Sequence, residues 1–143
     1  MSVEVEVVRN VTADLVEAFD RLLPQLSRNA APLDADALAR LIEWDGNHLL
    51  AARVERRILG VLTLVMFPIP TGLRAWIEDV VVDEAGRGQG IGAALTTEAI
   101  RLAQVAGART VDLTSRPSRQ AANRLYERLG FQLRDSKVYR YAP

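Results

Sequence analysis

One stretch of this chain carries residue types and spacing that could hold an anion. Arg87-Gly88-Gln89-Gly90-Ile91-Gly92-Ala93 sets three glycines in alternation at the start of an alanine-rich run. That spacing removes every Cβ from one side of a turn. Backbone N–H groups can then converge on a phosphate or pyrophosphate, where a helix dipole presents its positive end. Arg87 could add a bidentate, charge-assisted contact. The same triplet also serves as a plain strand-to-helix turn with glycines for close packing, and the triplet alone leaves both readings open.

Other candidate chemistry is sparse. The chain has no cysteine and one histidine, His48, which excludes thiol nucleophiles, Cys-based zinc sites and disulfide scaffolds and makes a His-rich metal site improbable. No metal is expected. Glu78-Asp79 is a carboxylate pair on an apolar run, and strand alternation predicts that the two point to opposite faces, so that at most one serves a given site. Trp76 would share the face of Glu78. Trp44 and His48 read as structural, with Trp44 a candidate inward residue. Ser118 reads as a helix cap.

The elements that position these residues follow from pattern. With 143 residues the chain makes about one domain at roughly 150 residues each, and it is read as a single domain over 1–143. Val3, Val5 and Val7 alternate with Glu4 and Glu6 in an opening strand, which is not the pattern of a targeting signal. Thr12-Ala13-Asp14 starts a first helix and Pro32-Leu33-Asp34 a second, with Asp45-Gly46-Asn47 as the turn that ends it. His48–Val54 and Ile58–Phe67 predict a hairpin. Pro68–Gly72 predicts a break, and Arg74–Val82 the next strand. A helix is expected over Ile91–Ala106, a strand over Thr110–Thr114, a helix over Arg119–Leu129, and a closing hairpin from Phe131–Arg134 and Val138–Tyr141. The order is β-α-α-β-β-β-α-β-α-β-β, an α/β fold with a mixed central sheet and helices on both faces.

The 18 basic and 18 acidic side chains cancel, which argues against broad capture of nucleic acid or of an anionic membrane. The longest apolar stretch, Ile58–Phe67, contains Gly60 and Thr63 and stops at Pro68, far short of the ~18–20 residues that span a bilayer. A cytoplasmic location is expected.

Two anion-binding patterns compete for the loop. Gly88-Gln89-Gly90-Ile91-Gly92-Ala93 satisfies the dinucleotide pattern G-x-G-x-x-G/A, with Asp112 about 20 residues on. Yet Asp83-Glu84-Ala85-Gly86 separates the loop from its strand, and Asp112 lies inside a strand rather than at its end. The better match is the acyl-CoA loop [Q/R]-x-x-G-x-[G/A], which Arg87-Gly88-Gln89-Gly90-Ile91-Gly92 fills position by position. Together with Ile77–Asp83 as the preceding strand and Leu125-Tyr126-Glu127-Arg128-Leu129-Gly130-Phe131 as a later helix end, the chain resembles the GNAT family of N-acetyltransferases over essentially its whole length.

That resemblance implies a set of roles. Arg87, Gly88, Gln89, Gly90, Ile91, Gly92 and Ala93 would hold the pyrophosphate of acetyl-CoA. Val80, Val81 and Val82 would offer backbone groups to the pantetheine arm, in a splay between their strand and Thr110–Thr114. Tyr126 would be the general acid toward the CoA sulfur, and Glu78 the general base, directly or through water. Where many members carry an Asn that bonds pantetheine, this chain has Arg119. Asn123 could substitute, while Arg119, helped by Arg116, could reach a CoA phosphate or an acidic acceptor group. The implied activity is direct transfer of an acetyl group to a primary amine in a ternary complex. A non-catalytic acyl-CoA sensor of the same fold is the alternative. The acceptor carries no decodable motif, and a homodimer, common among relatives, is not specified by any residue pattern.

Overall fold

Thr12 and Asp34 begin the first two helices by satisfying otherwise free amides, Thr12 Oγ1 accepting from the Leu15 N–H and Asp34 Oδ1 from the Ala37 N–H. These and all other positions come from a computed structural model that describes residues 2–143. The chain divides into two units, Met1–Leu113 and Thr114–Pro143.

The first unit runs β1 (Glu4–Val7), α1 (Ala13–Leu26), α2 (Ala35–Glu43), β2 (Asn47–Val54), β3 (Arg57–Ile69), β4 (Gly72–Val82), a 3-10 turn (Glu84–Gly86), α3 (Ile91–Ala106) and β5 (Thr110–Asp112). The five strands form one sheet in the order β1-β2-β3-β4-β5. The first four are antiparallel and β5 joins β4 in parallel, so the sheet is mixed. Long buried apolar runs in β2 and β3 follow from helices on both faces. Leu49, Ala51 and Val61 pack with Leu15, Ala18, Phe19 and Leu22 of α1 and Leu38 of α2. The opposite face receives α3, whose buried Ile91, Leu95, Ala99 and Ala103 recur every four residues.

Contact between α3 and the sheet is set by two glycines. A Cβ on Gly60 of β3 would stand 2.7 Å from Ile91 Cγ2 and 3.1 Å from Leu95 Cδ1. One on Gly86 would stand 2.7 Å from Ile91 Cδ1. Ile91, the first helical residue, is 1% exposed in this seat.

The second unit contains α4 (Gln120–Arg128). Its end is a Schellman turn: the Phe131 N–H bonds the Tyr126 carbonyl at 3.0 Å and the Gly130 N–H bonds the Glu127 carbonyl at 3.1 Å. The apolar contact that accompanies such turns is here the Tyr126 ring edge-on to Phe131, centroids 5.8 Å apart. The Leu-Tyr-x-x-x-Gly-Phe sequence is thus also a capping signal.

Four expectations need correction. Pro68–Gly72 does not break the sheet: Pro68 pairs with Leu73 and Ile69 with Gly72, leaving a tight turn at Pro70-Thr71. The closing hairpin is not formed. Phe131–Arg134 and Val138–Tyr141 enter no ladder, and Leu133, Val138, Tyr139 and Tyr141 are 73–99% exposed. Alternation marks a segment with two unlike faces, but only a partner makes it a strand. Trp44 is not inward; it follows the last turn of α2 and is 71% exposed. Ser118 does not cap α4, whose N-cap is Arg119 with no side-chain bond.

Gly60→Ala should destabilise the protein by about 1–3 kcal/mol in urea unfolding, because the new methyl meets a branch point of Ile91 and Leu95 together. Gly86→Ala should cost less, and Ile91→Val, which removes the Cδ1 it strikes, should recover part of that loss.

Candidate functional site

The glycine loop sits where a strand with a free edge hands over to α3. β5 pairs with β4 only from Arg74 to Trp76, opposite Thr110 to Asp112. β4 continues to Val82, so Ile77–Val82 has β3 on one side and, among the described residues, no ladder partner where β5 has ended. Backbone groups on that edge are available to an extended, amide-bearing ligand. Val80, Val81 and Val82 all lie on this stretch.

The same stretch is irregular on its paired side. Thr63 faces Glu78 and Val61 faces Val81, so β4 spends one residue more than β3 between these pairs. The extra residue is a bulge, and Asp79 within it has φ +49°, a left-handed conformation that Asp tolerates better than most residues. A one-residue slip exchanges the faces of everything that follows. Hence Val81 joins the α1 side of the core although it is an odd number of residues from Glu78, which faces the same way. The register keeps Glu78 on the side of Thr63 and Val61 and leaves Asp79 within the bulge, and both residues are largely exposed. Partial burial, and then the like charge of Asp79, raise the Glu78 carboxyl above the ordinary glutamate value.

After Asp83 and the 3-10 turn, residues 87–90 are exposed and Ile91 plunges into its seat. Gly90 is the N-cap of α3 with φ +78° and no side-chain cap, and Gly88 has φ +81°. A Cβ at either position would have no atom within 4 Å. The space in front of the helix is open, so these glycines are not required by packing against protein there. The first amides of α3 are left without side-chain partners, in a Cβ-free mouth. Arg87 lies 4.0 Å from Glu84, with both side chains largely solvated, so its guanidinium is free to turn elsewhere.

Tyr126, Arg119 and Asn123 belong to the second unit and share one face of α4 by their spacing of four and three. Tyr126 is buried, and burial raises its phenol against a lowering effect from the Arg119 charge. Asn123 Nδ2 donates to the Arg116 carbonyl at 3.1 Å, which leaves its Oδ1 as the free group. His48, held in β2, is kept below the ordinary imidazole value by burial and then by Arg9. Asp112 accepts from Arg74 and Thr110 inside the β5 segment.

Two residues escaped the sequence reading. Arg21 and Gln25 of α1 reach Asp83, immediately before the loop. They lie 62 and 58 positions away, and no local signal marks the pairing. Elsewhere, a groove of about 400 Å³ is lined by Ser2, Glu4, Arg53, Glu55 and Arg56. Arg53 there is already engaged by Glu6 and Asp14.

The site is thus an open strand edge running into an uncapped, glycine-lined helix start on a mixed sheet. The chain belongs to the acetyltransferase (GNAT) family, whose model matches residues 13–131. Among solved structures it is similar to a transcriptional regulator from Bacillus halodurans C-125, at 28% identity and a TM-score of 0.81 over 99% of this chain and 100% of that one. It is also similar to a Trypanosoma brucei acetyltransferase, at 27% identity and a TM-score of 0.81 over the same shares. A putative acetyltransferase from Agrobacterium tumefaciens str. C58 shares its fold, with a TM-score of 0.85 at 23% identity over 97% and 99%. No curated protein matches the chain in sequence. No helix among the described residues is long and apolar enough to cross a membrane.

The raised Glu78 carboxyl gives a pH prediction. A carboxyl whose folded value lies above its unfolded one favours folding fully below the unfolded value and loses that contribution as pH rises through the folded value. Glu78→Gln should therefore raise the Tm relative to the parent at neutral pH, with the difference shrinking as the pH falls through the raised folded value and gone below the ordinary glutamate range.

Proposed function

We propose that this chain is a single-domain, acetyl-CoA-dependent N-acetyltransferase acting on a primary amine. The observation that carries this reading is the mouth of α3: free amides, two left-handed glycines and open space where a Cβ would lie. In this reading the amides of the Arg87–Ala93 loop hold the diphosphate, with the helix dipole and Arg87 adding positive charge. The free edge at Val80–Val82 carries the pantetheine amides.

Transfer then requires three events. The amine nitrogen attacks the thioester carbonyl carbon, its proton leaves, and the C–S bond breaks with the sulfur taking a proton. Glu78 accepts the amine proton, directly or through water, and its raised carboxyl makes it a better base than an ordinary glutamate. Backbone N–H groups of the free edge stabilise the oxyanion. Tyr126 donates to the sulfur. Its phenol is protonated at neutral pH, as a general acid must be, and burial raises it further. Arg119, in place of the Asn that many members carry, puts a positive charge beside that phenol and favours its anion once the proton has moved.

Gly90→Ala and Gly107→Ala form a matched pair, since both positions have left-handed backbone (φ +78° and +86°) and open space. Each should lose about 1–2 kcal/mol of stability. Only Gly90→Ala should also weaken acetyl-CoA binding in calorimetry, by about tenfold or more, which is 1.4 kcal/mol. Equal affinities in the two variants would remove the loop from the donor site.

Tyr126→Phe keeps the ring and its packing on Phe131, so acetyl-CoA should bind nearly as before. With an acceptor found by screening amines for CoA release, kcat should fall by about 10²–10⁴-fold. A chemistry-limited variant with full kcat would make Tyr126 a purely structural aromatic. A parent that binds acetyl-CoA but releases no CoA with any amine would support the sensor reading instead.

A further inference from the structure

The chain leaves β4 through a carboxylate that is buried rather than solvated. Asp83 is 6% exposed. Arg21 Nη1 donates to its Oδ2 at 2.5 Å, and Gln25 Nε2 donates to its Oδ1 at 3.5 Å. The same Oδ1 accepts from the Ala85 N–H at 3.0 Å. Asp83 also bonds through its backbone, its N–H to the Leu59 carbonyl and its carbonyl from the Gly86 N–H, both at 2.8 Å. Gln25 Oε1 accepts from the Glu84 N–H at 3.1 Å, and Arg21 Nη2 donates to the Ile58 carbonyl at 3.0 Å. All three amides of the 3-10 turn are therefore held, by Gln25 or by the aspartate that Arg21 grips.

A buried ion pair is a poor source of net stability, because desolvation offsets much of the attraction. What this one provides is a defined geometry at one place. The loop has no such fastening of its own. Residues 87–90 are exposed, the Arg87–Glu84 contact is long and solvated, and Gln89 reaches the Ala85 carbonyl only at 3.4 Å. Its aim is inherited from the 3-10 turn before it and the Ile91 seat after it.

We infer that Arg21 and Gln25 of α1 are positioning residues for the anion loop: through Asp83 and Glu84 they set where the amides of Arg87–Ala93 point, without touching the ligand. This rests on the reading of that loop as the acetyl-CoA cradle. A helix from the first quarter of the chain thereby sets the affinity of a site that begins at residue 87.

The test compares Arg21→Met, Arg21→Lys and Gln25→Ala with Arg53→Met, whose parent residue on β2 pairs with Glu6 of β1 and Asp14 of α1 and makes no bond to the 3-10 turn. CoA affinity is read by calorimetry, and hydrogen exchange at Glu84–Gly90 is read without ligand. Arg21→Met should weaken CoA by about fivefold or more and speed exchange across the turn. Arg21→Lys should recover part of both, because an ammonium can still pair with Asp83. Gln25→Ala, which leaves the ion pair intact, should show a smaller loss and serves where Arg21→Met does not fold. Arg53→Met should lower Tm with no change in either readout. Unchanged exchange and affinity in folded Arg21→Met, or equal losses in Arg53→Met, would overturn the inference. A parent protein that binds no CoA would overturn the donor-site reading, while the exchange data would still decide whether α1 orders the turn.

Discussion

Ile91 has to do two things that conflict in most helices. As the first helical residue of α3 it must be packed tightly enough to hold the helix on the sheet, and the backbone around it must stay free of caps. The glycines at 60 and 86 resolve the conflict by withdrawing their Cβ atoms from beneath the Ile91 side chain. The anchor is then entirely apolar and lies on the protein side. Nothing polar is consumed in holding the helix, and its free amides remain for a ligand. A Ser or Asp at position 90 would make a better cap, and its side chain would occupy the amides that Gly90 leaves free.

The bulge at Asp79 has a comparable logic on the neighbouring strand. A regular β4 would direct Val81 to the α3 face, and the α1 side of the core would lose it. One extra residue returns Val81 to that core while leaving Glu78 and Asp79 together at the surface, close enough for one charge to raise the other's carboxyl. Backbone strain, the shifted carboxyl and the free edge thus share a few residues of one strand. Strained backbone persists where the surroundings over-determine it, and here Val81 and its partner Val61 supply that constraint.

On α4 one short sequence serves two ends. Gly130 and Phe131 close the helix by a Schellman turn, and the apolar contact that completes the turn falls on the Tyr126 ring. The Tyr126 ring is in this way held by the cap itself, through a contact that its hydroxyl does not make. Arg119, at the other end of the helix, adds charge without a side-chain cap.

Much of this was legible in the chain because it depends on near neighbours. Helix starts at Thr12 and Asp34, the extent of α3, the glycine loop and the order of elements as far as α4 follow from propensity, capping and periodicity, which act over a few residues. The glycine triplet announced the left-handed, uncapped start of α3 for the same reason. What the sequence could not announce depends on partners far along the chain. The bulge at Asp79 exists because β3 is there to be slipped against, and the strand-like residues 131–141 stay unpaired because alternation cannot supply a ladder. The grip of Arg21 on Asp83 joins residues 62 positions apart, where only folding decides which charge meets which. Local chemistry determined which residues make up the glycine loop; tertiary packing decided the register of β4 and what holds the turn before that loop, since register and ion pairing are properties of two segments and never of one.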